Sequence, residues 1–264
     1  MSHKIEIKHL SFEYESKKSK YPALNDINIT IDQGEFICLL GNSGCGKSTL
    51  LSILSGLNKP SNGELLIDEK PVLGPGVDRA VVFQHYSLFP WLTAKGNVLF
   101  GIKQSGKKYK KDERDRIANY YLKSVELFEA KDKYPNELSG GMQQRVAVAR
   151  ALALESDILL MDEPFAALDP KLRLELQELV LKLSKENGKT VVFVTHDIDE
   201  ALLLADRIFV MEPGKIKEEL VVNLKSPRKR SELIKTNEYN ELYQKLFSLF
   251  YDRVKQDIYE ETML

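Results

Sequence analysis

The run Gly41 to Ser48 reads GNSGCGKS, an arrangement of glycines, lysine and hydroxyl that suits a polyphosphate. Its glycines let the backbone N–H groups of Gly41, Asn42, Ser43, Gly44, Cys45 and Gly46 turn toward phosphate oxygens. Lys47 is expected to reach the β and γ phosphates, Ser48 to offer its hydroxyl to a magnesium ion, and Thr49 to follow at the start of a helix whose positive dipole end favours an anion. The apolar run FICLL precedes the loop and the helical run TLLSILSGL follows it, so the strand–loop–helix context matches the letters. A second stretch, Ile158 to Pro164, reads ILLMDEP. It is an apolar strand that delivers Asp162 and Glu163 at its C-terminal end, where open α/β sheets bind ligands. Asp162 is placed to hold the magnesium through its water shell, and Glu163 to act as general base or to orient the attacking water. By itself a strand ending in two acids suits a capping or loop role equally well. With the phosphate loop beside it, the pair points to hydrolysis of a nucleoside triphosphate.

Leu138 to Arg145 reads LSGGMQQR. Ser139, Gly140 and Gly141 open a helical run, and a serine hydroxyl beside unpaired helix N–H groups makes a second anion site, with Gln143 counted alongside. One chain with one nucleotide has no use for two such sites. Two chains arranged head to tail would use both, each loop closed by the partner's Ser-Gly-Gly. Cys45, at a helix N-terminus beside Lys47, is expected to have a lowered pKa, to react with alkylating agents and to be protected by bound nucleotide.

The elements that must position these groups alternate. Apolar runs at Ile5 to Leu10, Phe36 to Leu40, Ala80 to Phe83, Ile158 to Met161, Val191 to Thr195 and Ile208 to Met211 recur between helical patterns, which predicts an α/β domain with a largely parallel core sheet covered on both faces. The segment from about 86 to 156 lacks a clear strand, carries a lysine-rich linker at Gly106 to Lys111 and runs helically from Asp112 to Glu129. It is expected to be an inserted helical subdomain. Residues 226–264 form an appendage: Tyr239, Leu242, Tyr243, Leu246, Phe247, Phe250 and Val254 recur at helical spacing. That stripe is expected to pack on the protein's own surface, with assembly or regulation as the alternative.

With 264 residues, 38 Lys and Arg against 39 Asp and Glu, the chain has no bulk electrostatic case for nucleic acid. The basic clusters at Lys17, Lys18 and Lys20, at Lys107 to Lys111 and at Arg228 to Arg230 read as solvated loops. No apolar run approaches the roughly 18 to 20 residues that cross a bilayer, and MSHKIEIKHL has no export signal. The two cysteines, Cys38 and Cys45, fit a reducing compartment and no metal-ligand spacing.

In its order of motifs over residues 1 to about 225, the sequence resembles the ATP-binding cassette (ABC) subunits of transporters. The resemblance implies a P-loop cassette with an N-terminal antiparallel β part, ATP and Mg2+ as ligands, and hydrolysis of ATP. It further implies that Tyr14 stacks on adenine, that Gln84 in VVFQH touches magnesium and the permease, and that Leu168 and Asp169 in AALDP cross a dimer interface. His196 in VVFVTHD would contact the γ phosphate. From spacing alone Tyr14 is as readable as a strand aromatic, and His196 as a structural group.

The stretch FQHYSLFPWLTAKGNVLFGI is similar to importers of nitrate, alkyl sulfonates, taurine and related small anions or thiamine precursors, with Gly96 departing from the acid or polar residue expected there. Trp91 in that stretch reads either as a permease contact or as packing. The implied partners are a second cassette, identical or not, two membrane-spanning permease subunits and, indirectly, an extracellular substrate-binding protein, which would place the chain on the cytoplasmic face of the membrane. The rival readings are a soluble ABC-type ATPase not coupled to transport, a P-loop phosphotransferase and a nucleotide sensor. The near-zero charge and the lack of a long coiled coil count against the first, LSGGMQQR against the second, and the complete hydrolytic set against the third.

Overall fold

The fold is that of a computed structural model, which describes residues 3–15, 19–84, 87–225 and 228–261. Lys17, Lys18, Tyr86, Ser226 and Pro227 lie outside the described residues, as do the side chains beyond Phe250, Val254 among them. In chain order the elements are β1 (Ile5–Glu15), β2 (Lys20–Ile31), β3 (Phe36–Gly41), α1 (Lys47–Leu54), β4 (Asn62–Ile67), β5 (Lys70–Pro71), β6 (Arg79–Val82), α2 (Ala94–Gln104) and α3 (Lys111–Ser124). There follow α4 (Gly140–Ala153), β7 (Ile158–Asp162), α5 (Pro170–Glu186), β8 (Thr190–Thr195), α6 (Ile198–Leu204), β9 (Arg207–Glu212), β10 (Lys215–Val221), α7 (Arg230–Leu233) and α8 (Asn237–Glu261).

Two sheets organise the domain. A six-stranded sheet runs in the order β10-β9-β3-β8-β7-β6, with β9, β3, β8, β7 and β6 mutually parallel and β10 antiparallel at the edge. A four-stranded antiparallel sheet runs in the order β2-β1-β4-β5. Every residue of β3, β7 and β8 is buried, because helices or the second sheet cover both faces; such strands read as unbroken apolar runs. α1 lies between the two sheets, where Leu50, Leu51, Ile53 and Leu54 join Ile5, Ile7, Leu39, Val192 and Phe209 in one core.

A second core lies on the other face of the parallel sheet and extends into α2, α3 and α4, through Val98, Ile102, Ala118, Leu122, Val146 and Ala149. α2 crosses α4 closely at Gly101, where a Cβ would sit 2.5 Å from the Arg150 carbonyl oxygen. The helix expected to run to Glu129 ends at Ser124. Glu126 takes a left-handed φ of 55° and the chain folds back so that the Leu127 N–H donates to the Leu122 carbonyl at 2.8 Å, a closure of the kind that ends helices. Gly96 also fits its place: its N–H donates to the Thr93 cap, and a Cβ there would press within 3.2 Å of Leu92.

The six apolar runs of the sequence are β1, β3, β6, β7, β8 and β9. β2, β4, β5 and β10 carry no comparable apolar run, and Lys20, read as loop, begins β2. The tail packs on its own domain. Tyr239 and Leu246 on α8 are buried in the helical-side core, with Leu242, Tyr243, Leu249 and Phe250 against it. No helix among the described residues is long and apolar enough to cross a membrane.

Candidate active site

The loop between β3 and α1 is shaped by two left-handed glycines, Gly44 (φ 80°) and Gly46 (φ 110°). Gly46 admits no side chain, since a Cβ would lie 2.8 Å from both the Ala23 carbonyl and the Leu24 side chain. The loop is stapled from behind, where the Gly214 N–H donates to the Cys45 carbonyl at 3.0 Å. Lys47 is 5% exposed and its ammonium bridges two carbonyls of its own loop, Gly41 at 2.6 Å and Asn42 at 2.9 Å.

Asp162 ends β7 next to this loop. The Ser48 hydroxyl donates to its carboxylate, and burial pushes its pKa above the ordinary aspartate value, with Glu163 raising it further and Ser48 and Lys47 opposing. One of its oxygens, Oδ1, is buried without a hydrogen-bond partner. An orphaned carboxylate oxygen beside a hydroxyl is a donor set for a hard divalent cation, so the residues fit magnesium.

Glu163 adopts a left-handed backbone, φ 43°, with its N–H donating to the Val194 carbonyl at 3.1 Å. That bend turns its carboxylate to within 3.2 Å of His196 Nδ1. Non-glycine residues in this conformation are uncommon and cluster at functional sites. The Glu163 side chain is 16% exposed, whereas that of His196 is 60% exposed.

These groups open onto a cleft of about 550 Å³ lined by Tyr14, Lys47, Ser48, Thr49, Gln84 and Glu163, among others. Tyr14 hydrogen-bonds through its hydroxyl to Thr49 Oγ1 at 3.1 Å. Phe12 meets its ring edge-on, with centroids 4.9 Å apart, and nearly half of the residue is exposed, so a face is open to a flat ligand. Tyr21, on the same cleft wall, was missed by the sequence reading. It is the cross-strand partner of Tyr14 between β1 and β2, a relation that only the hairpin register reveals.

Other expected site residues stand elsewhere. Ser139 caps α4, its exposed hydroxyl accepting the Met142 N–H at 3.3 Å. The Gln143 amide donates to the Pro135 and Leu138 carbonyls, closing the turn ahead of the helix. Gly140 begins α4, and Gly141 abuts the loop at Ala167 and Leu168. Asp169 caps α5 by accepting the Leu172 N–H at 3.1 Å. None of these lines the cleft, so one chain presents two separate anion-suited ends.

Cys45 corrects its expectation. Burial raises its pKa, outweighing Lys47 3.9 Å away. Its thiol lines a different cavity behind the loop, with Met211, Lys217 and Phe250, so its part in the loop is through its backbone. Trp91 is 70% exposed and touches Phe89, which in turn touches Phe100. That exposure excludes a core role for Trp91, whose contact with Phe89 makes it part of an aromatic patch on the helical subdomain.

Residues 24–166 match the family model described as ABC transporter. An uncharacterised ABC transporter ATP-binding protein of Methanocaldococcus jannaschii is 45% identical over 260 residues, covering 98% of this chain and 95% of its own. The nitrate import ATP-binding protein NrtD of Synechococcus elongatus is 42% identical, covering 92% of this chain and 90% of its own. The bicarbonate transport protein CmpD of the same organism is 42% identical over 95% of this chain and 91% of its own. Among solved structures, a dimeric ATP-binding cassette in a post-hydrolysis state with ADP and Pi superposes with a TM-score of 0.78 at 38% identity, covering 84% of this chain and all of that one.

Proposed function

This chain belongs to the ABC transporter family and is an ATP-binding, ATP-hydrolysing cassette, and on that premise we propose that it works as a head-to-tail dimer driving import of a small anion through separate permease subunits. The observation that carries the dimer is the separation of the two anion-suited ends. The cleft holds Lys47 and Ser48 but not Ser139, Gly140 or Gly141, so in this reading a partner's α4 start completes each site. Similarity to nitrate import and bicarbonate transport cassettes supports a small anionic solute, with nitrate the first candidate.

The adenine stacks on Tyr14 with Tyr21 beside it. Lys47 releases the Gly41 and Asn42 carbonyls to take the β and γ phosphates, a charge-for-dipole exchange within one buried pocket. Ser48 and Asp162 would hold Mg2+, with Gln84 near, and the ion when bound neutralises charge building on the phosphates. Glu163 orients the attacking water and accepts its proton, and His196, paired with Glu163, contacts the γ phosphate. In this reading Phe89, Trp91 and Phe100 offer the permease an aromatic surface, and the subunit works at the cytoplasmic face of a membrane.

Glu163→Gln tests this. The amide keeps the contact with His196 and loses the proton acceptor, so turnover should fall by about 10² to 10⁴ with ATP binding retained. The variant should elute as a dimer from size-exclusion chromatography in ATP and magnesium, and adding Ser139→Arg should abolish that dimer. Normal turnover, or a monomer at saturating ATP, would overturn the reading.

A further inference from the structure

His196 sits between two residues, Thr195 and Asp197, and both are tied to the first turn of α6. The Thr195 hydroxyl donates to Glu200 Oε2 at 2.6 Å and accepts the Asp197 N–H at 3.0 Å. Asp197 in turn caps α6 by accepting the Glu200 N–H at 3.2 Å. The imidazole itself is largely exposed, so the backbone that carries it sets its place. Wherever α6 goes, His196 must follow.

α6 is held from both ends by the C-terminal appendage. At its last turn the buried Arg228 guanidinium donates to the Leu202 and Ala205 carbonyls and reaches back to the Val222 carbonyl at 3.0 Å, meeting the negative end of the helix. At its first turn Asp199 receives two donors from the tail. Arg230 on α7 pairs with one carboxylate oxygen at 2.6 Å and the Tyr239 hydroxyl on α8 donates to the other. Tyr239 is 5% exposed whereas the Asp199 side chain is 31% exposed, and a hydrogen bond to a carboxylate is among the stronger kinds.

We propose that Tyr239 and Arg230 are positioning residues for hydrolysis, acting through Asp199 and the first turn of α6 to hold His196 opposite Glu163. The tail is thus a brace on His196 as well as a cover for the core. The inference rests on the reading of His196 given above and adds a cause for where that residue stands.

The test uses the full chain and the variants Tyr239→Phe, which keeps the ring and its packing, and Asp199→Asn, which keeps the shape of the acceptor. Steady-state ATP hydrolysis, thermal unfolding and ring NMR of 15N-histidine-labelled protein are measured on each. His196 is one of four histidines, and His3 and His9, held by Asp32 and Asp26, serve as internal references. For both variants kcat should fall about three- to tenfold with KM for ATP within about twofold, and the His196 resonances should move while those of His3 and His9 stay. A lowered Tm with unchanged kcat and an unmoved His196 signal would make the tail a cover only and overturn the proposal. His196→Ala separates the two ideas. If that variant turns over normally, the role given to His196 falls and the brace with it; if it is impaired while Tyr239→Phe is not, the brace alone falls.

Discussion

Asp162→Asn sets stability against turnover. In the native chain Asp162 is 8% exposed and left with Oδ1 unpartnered. An unsatisfied buried polar group costs about 1 to 3 kcal/mol. Asparagine keeps the shape and can still accept from Ser48, but it brings an N–H pair that also lacks a partner, so the net recovery should be about 1 kcal/mol. For a chain of 264 residues the unfolding entropy is about 0.55 kcal/mol/K, and that recovery raises Tm by about 2 °C. The gain should depend on pH with a definite sign. Burial raises the folded pKa of Asp162, so its contribution to stability is fully present below the ordinary aspartate value and is lost as pH rises through the folded value. The variant has no such loss. Its advantage should therefore be largest at neutral pH and shrink on acidification, while Glu200, also raised by burial, acts alike in both proteins and cancels. Differential scanning fluorimetry of the nucleotide-free proteins from about pH 3.5 to about pH 7, a range that starts below the ordinary aspartate value, reads both effects. The same variant should lose ATPase activity by at least about 10² and gain less Tm from ATP with magnesium than the wild type does. A variant that is less stable at neutral pH, or whose advantage does not change with pH, would refute the picture of Asp162 as a buried, underpartnered carboxylate.

Because burial lifts the Cys45 thiol, maleimide labelling should be slower than for an exposed thiol at neutral pH and accelerate as pH rises, and fast labelling at pH 7 would contradict it. Tyr14→Ala removes a half-open ring from the cleft and should weaken ATP binding by about 1 to 3 kcal/mol, with GTP weakened in parallel; unchanged affinity by calorimetry would clear Tyr14 of any stacking role. Leu246→Ala empties a site that is 0% exposed and should cost about 2 to 5 kcal/mol, visible as a lowered denaturation midpoint, whereas an unchanged midpoint would mean that α8 does not dock.

The parallel core and the phosphate loop were legible because both announce themselves locally. β3, β7 and β8 are buried on both faces and read as apolar runs, and GNSGCGKS carries its own geometry. β10 was not legible: KIKEELV alternates at the sheet edge, with only Leu220 buried, and mixed charge masks its period. Tyr21 was hidden for a different reason, since its place opposite Tyr14 depends on a register with several irregularities between β1 and β2. The α8 stripe gave away a helix and its buried face. It could not give away Asp199, 40 residues from Tyr239, because a long-range hydrogen bond leaves no periodic trace. The Cys45 expectation failed since spacing tells which charges are near a thiol but not which side of the loop it faces, and here burial prevails.

The hold of Lys47 on its own loop has a consequence for selectivity. An ammonium that already rests on two carbonyls is no open trap for passing anions; an incoming ligand must outbid both dipoles at once. A lone phosphate or sulfate, offering little else to hold, meets a threshold that a nucleotide crosses with its base and its chain of phosphates together. In the proposed reading the loop works as a latch whose catch is part of the protein, opened by the whole length of the ligand.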